Sequence, residues 1–100
     1  MPLTAARKIL AGTILKSRLA IGLTQDQFGQ RYEVSGPAIF KFEKGFIRPS
    51  LKLWLRIAQD AELTERRAVL LWSHSRLPAE YQQYVDLAPA PPIAPGPRKG

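Results

Sequence analysis

Two helix-start signals stand close together in the first half of the chain, and they constrain its fold more than any other feature. Thr24 can act as an N-cap with Gln27 as its capping-box partner, and Leu23 with Phe28 forms a hydrophobic staple around it. Ser35 repeats the signal, with Pro37 in the first turn, where a missing N–H costs little, and Val34 and Ile39 as a second staple. The first of these helices runs from Gln25 to about Tyr32, and the second spans 35–44 until Gly45 closes it. Only Tyr32 to Val34 is left to join them, so the two short helices must form a tight corner.

The flanking sequence is helical as well. Ile9, Leu10, Ile14, Leu15 and Leu19 recur at helical spacing between Ala5 and Ala20, and Gly22 supplies the stop. Pro49 and Ser50 announce a fourth helix with Leu51, Trp54, Leu55, Ile57, Ala58 and Ala61 as its apolar set. Thr64 caps a fifth that carries Ala68, Val69, Leu71 and Trp72. Leu77-Pro78 breaks the pattern, which leaves Ala79 to Val85 room for two further turns at most. Ala88 to Pro97 holds five of the nine prolines and almost nothing to bury, the composition of an extended tail. One hundred residues at 45% hydrophobic allow one compact domain and no second core. The expectation is an all-α chain: a five-helix domain over 1–76, a short C-terminal helical extension over 77–87 and a disordered Pro/Ala-rich tail over 88–100.

Charge is unevenly placed. Residues 1–56 carry +7 and residues 57–86 carry −2, with Arg98 and Lys99 restoring the total of +7. A positive field concentrated in one half favours a polyanionic partner. With no cysteine there is neither a disulfide framework nor a Cys-rich zinc site, and His74, the single histidine, cannot build a metal site alone. No Ser/His/Asp set or phosphate loop with its lysine is present, so we expect no enzyme, no cofactor and no metal. Gly12, Thr13 and Lys16 interrupt the apolar run after Arg7 and Lys8, and no small-residue cleavage site follows. The expectation is a cytoplasmic protein without signal peptide or membrane span.

Arg18, Gly22-Leu23-Thr24-Gln25, Phe28, Val34-Ser35, Ile39, Glu43, Gly45, Pro49 and the Leu55 to Leu63 helix, in this order and spacing, resemble the helix-turn-helix group that includes the lambdoid phage repressors and Cro. The likeness covers Leu10 to Leu63. It implies a repressor-like domain with the helix-turn-helix at helices 2 and 3, and a transcriptional regulator, a repressor, that binds double-stranded DNA at a palindromic operator as a homodimer. In that docking, helix 35–44 enters the major groove. Helical spacing turns Gly36, Pro37, Phe40, Lys41 and Lys44 outward while Ile39 and Phe42 are buried. Base contacts then fall to Gln25, Gly36, Pro37, Phe40 and Lys41, with Lys41 toward guanine O6 and N7 and Phe40 toward a thymine methyl. Phosphate contacts fall to Thr24, Ser35, Lys44, Arg48 and Lys52. The resemblance also implies an ion pair between Arg18 and Glu43. For Phe40 the alternative is packing beneath the first helix or at a dimer contact.

The chain departs from the repressor pattern in three places. Gly36 and Pro37 open the reading helix without any side-chain hydrogen-bonding group, so direct readout is thin and DNA shape carries more of the specificity. Glu33 occupies the usual glycine of the corner and is expected to be left-handed at a cost of about 1 kcal/mol. Gly29 replaces the customary alanine. Leu70, Trp72, Leu77 and Tyr81 are the expected dimer interface, with core packing as the alternative for Trp72. The rival function is an antitoxin-type regulator that binds a partner protein through its C-terminal half and DNA through the corner. A membrane-surface role fits less well, because the basic residues attach to a capped corner and not to one basic amphipathic helix.

Overall fold

The polar side chains before each helix decide where the chain turns. In the computed structural model, which describes residues 5–78 and 80–81, the elements are α1 (Ala5–Ala20), α2 (Gln25–Tyr32), α3 (Gly36–Lys44), α4 (Leu51–Asp60) and α5 (Glu65–Ser75). Among the described residues no strand occurs, and the fold is all-α with these five α-helices. Thr24 Oγ1 accepts from Gln27 N–H at 3.1 Å while Gln27 Oε1 accepts from Thr24 N–H at 2.9 Å, a complete capping box. Ser35, Ser50 and Thr64 each accept from the backbone N–H three residues on, at 3.1 Å. Such caps contribute about 1 kcal/mol each.

The core is built around Trp54 of α4, which is fully buried and donates Nε1–H to Ala68 O at 2.8 Å. Leu10 and Ile14 of α1, Phe28 and Tyr32 of α2, Ile39 and Phe42 of α3, Ile57 of α4 and Leu71 of α5 complete it. On α1 the buried stripe differs from the periodic reading. Ala6, Leu10, Ala11 and Ile14 are buried, whereas Ile9 and Leu19 are exposed. α1 packs against α5, α3 and α4, so two alanines join Leu10 and Ile14 on its buried side.

Gly29 and Glu33 set the corner. A Cβ on Gly29 would overlap the Val34 carbonyl oxygen and lie 3.1 Å from the Ser35 carbonyl carbon, so the close approach requires glycine here. Glu33 takes φ 64 and ψ 37, the left-handed region, and its N–H donates to Gln30 O at 3.3 Å. Glu62 after α4 takes the same conformation, with φ 66, at a position that carries no glycine to announce it.

Of the expected extension over 77–87, Tyr81 N–H donates to Pro78 O at 2.9 Å; most of the remainder, like the tail over 88–100, lies outside the described residues. Among those described, no helix is long and apolar enough to cross a membrane.

Candidate nucleic-acid interface

The outward face of α3 follows from what its other face must bury. Ile39 and Phe42 point into the core, which leaves Pro37, Phe40, Lys41 and Lys44 exposed. Gly36 is a correction to the outward set. It is buried, because the start of α3 packs against α2 so closely that a Cβ there would overlap the Asp26 carboxylate and lie 3.2 Å from Asp26 Cα. Asp26, exposed in the first turn of α2, therefore borders the N-terminus of α3, a neighbour that linear spacing does not disclose.

Phe40 is 40% exposed. Its ring meets Phe46 edge-on, with centroids 6.2 Å apart and planes at 78°, and Lys44 Nζ stands 5.7 Å from its centroid. Phe46 comes from the segment after α3, and Arg7 of α1 holds that segment by donating Nε–H to Gly45 O and Nη2–H to Phe46 O, each at 3.1 Å. Neither Arg7 nor Phe46 carries a signal in the sequence, since the contact joins residues nearly forty positions apart.

Behind this face Arg18 and Glu43 form an ion pair, with Arg18 Nε donating to Glu43 Oε2 at 2.6 Å. Their side chains are 15% and 5% exposed. The hydrogen bond that Arg18 donates to Glu43 holds its guanidinium pKa above the ordinary value against the opposing effect of burial. Glu43 Oε1 also accepts from Gln25 Nε2 at 3.0 Å, so the Gln25 amide nitrogen is directed inward and its carbonyl oxygen is left for other partners. Thr24 and Ser35, expected at phosphates, use their hydroxyl oxygens as caps while the hydroxyl hydrogens stay available.

The remaining cations divide into two kinds. Lys41, Lys44 and Lys52 are exposed. Arg48 is half-buried and lies 5.0 Å from the Trp72 ring centroid, where Arg76 also stands at 5.2 Å. Among the described residues its Nη1 is buried without a hydrogen-bond partner. Burial pushes Arg48 below its ordinary value, and the like charges of Arg76 and Arg7 push the same way. It is thus a stacked arginine rather than a loose loop charge.

Trp72 is half-buried and donates Nε1–H to Pro49 O at 2.9 Å, tying α5 to the start of α4. Of its companions in the expected dimer interface, Leu70 and Tyr81 are exposed and Leu77 is half-buried. No group of three or more His, Cys, Asp or Glu among the described residues could hold a metal ion.

No family model, curated protein or solved structure matches the chain.

Proposed function

We propose that the chain is a sequence-specific DNA-binding transcriptional regulator of the helix-turn-helix type, with α2 and α3 as the motif and α3 as the reader in the major groove. The observation that carries this reading is the exposed face of α3: Pro37, Phe40, Lys41 and Lys44 project from a short helix whose opposite side is fixed in the core. A lysine in the middle of such a helix can donate to guanine O6 and N7, and an apolar ring can lie on a thymine methyl. Around it, Lys44, Lys52 and the first turns of α2 and α3 offer cations and outward N–H groups suited to phosphates. The +7 charge over residues 1–56 is the field such docking requires.

Gln25 takes part through its carbonyl oxygen and the backbone N–H groups beside it, because its amide nitrogen is engaged by Glu43. Two copies associating through Leu70, Leu77 and Tyr81 would double the readout of one sparse helix and place two readers about 34 Å apart on a palindrome. Selection of bound duplexes from a random pool tests the reading. It should enrich an inverted repeat with half-sites about one helical turn apart; a pool that stays random after repeated rounds contradicts it.

A further inference from the structure

The two aromatic rings beside α3 are held in place although they gain little burial. Phe40 is 40% exposed and Phe46 63%. Gly45 takes φ 76 and reverses the chain, so that Phe46 N–H donates to Lys41 O at 2.9 Å, the closing bond of a Schellman-type turn. Arg7 secures the same segment from the other side through Phe46 O and Gly45 O. The Phe46 backbone is thus tied to α3 and to α1, and its ring meets Phe40 edge-on. In the first turn of α3 the exposed side chain is Pro37, which has no hydrogen-bonding group, and Gly36 is buried.

We infer that the Phe40–Phe46 pair recognises 5-methylpyrimidines, with Phe40 seated on the C5-methyl of thymine or 5-methylcytosine and Phe46 acting as a positioning residue that holds the Phe40 ring. The inference deepens the DNA-binding reading above and rests on it. The C5-methyl is the apolar feature of the major-groove edge, and a ring without donors can gain from it while being indifferent to the hydrogen-bond pattern. Charge selects this occupant over a second copy of the chain. Lys41 and Lys44 flank the rings, and a second copy would bring the same cations face to face, whereas DNA brings phosphates. The edge-on contact with a ring whose backbone is tied down limits the orientations of Phe40, so less freedom is lost when the methyl arrives.

The experiment uses the full chain and a duplex enriched from a random pool, resynthesised with uracil in place of each thymine in turn and with 5-methylcytosine in place of each cytosine. At one or two positions per half-site, uracil should weaken binding about four-fold, the value of one buried methyl. Phe40→Ala should bind the thymine and uracil duplexes alike. Phe46→Ala should keep its thermal transition, because the side chain is exposed, yet lose most of the thymine-to-uracil ratio, and Phe46→Tyr should retain it. A purely structural role for Phe46 would leave that ratio unchanged. Equal binding of thymine and uracil duplexes by the unaltered chain overturns the methyl reading alone; no binding to any duplex at low salt overturns it together with the DNA-binding reading.

Discussion

Arg18 of α1 and Glu43 of α3 meet through two hydrogen bonds, Nε to Oε2 at 2.6 Å and Nη2 to Oε1 at 3.2 Å, while Arg18 Nη1 donates to Leu23 O at 3.0 Å. One guanidinium thus joins α1, the α1–α2 turn and α3, and the same carboxylate receives Gln25. Removing the carboxylate strands a mostly buried cation. Glu43→Ala should lower stability by about 3 kcal/mol, and Glu43→Gln by less, in urea unfolding. A loss near zero for Glu43→Ala would show that the pair is a surface contact.

Gly29 and Gly12 form a matched test of the corner. Space is absent at Gly29 and open at Gly12, where nothing lies within 4 Å of a Cβ. Gly29→Ala should push the Val34 carbonyl away and cost about 1–3 kcal/mol. Gly12→Ala, in the interior of α1, should stabilise by up to about 1 kcal/mol. Thermal unfolding of the two variants should shift in opposite directions.

Tyr32 makes stability fall at alkaline pH. Its hydroxyl donates to Asp60 Oδ2 at 2.5 Å, and burial raises the phenol above its ordinary value of 10.0, with the bond to Asp60 adding to the effect. Because the folded pKa exceeds the unfolded one, this contribution is fully present below pH 10.0 and is lost as pH rises through the folded value. Tyr32→Phe should be less stable at neutral pH by about 1 kcal/mol and should flatten the decline above pH 10. Denaturant midpoints measured from pH 8 to 11.5 check both parts.

Lys44 and Lys52 should behave differently from Arg48. Replacing either exposed lysine by alanine should weaken preferred and random DNA alike and lower the slope of log affinity against log salt by about one unit, with stability unchanged. Arg48→Ala removes a guanidinium stacked on Trp72, so it should also shift the thermal transition. Equal transitions for all three variants would mean that the stack contributes nothing to the fold.

The helices were legible because their signals are local. Thr24, Ser35, Ser50 and Thr64 each announce a start within a few residues, and each acts as a cap. What stayed hidden depends on which helices touch. Helical spacing turned Gly36 outward, but a glycine has no side chain to turn, and its Cα is where α3 comes closest to Asp26. Arg48 read as a phosphate contact, and its stacking on Trp72 was hidden because that platform lies more than twenty residues away. His74 and Ser75 are buried although polar, and apolar periodicity gives no reason to expect that. The Phe40–Phe46 pair and its Arg7 tether were invisible for the same reason.

The claim that α3 reads base edges is tested most directly by titrating Lys41→Ala with salt on both a selected duplex and a random one. Lys41 is exposed at the start of the last turn of α3. The variant should lose about 1–3 kcal/mol on the selected duplex, relax preference at one base pair and lose much less on random DNA. An equal loss on both, with the salt slope lowered as for Lys44→Ala, would make Lys41 a phosphate contact and contradict the assignment of this face of α3 to the groove.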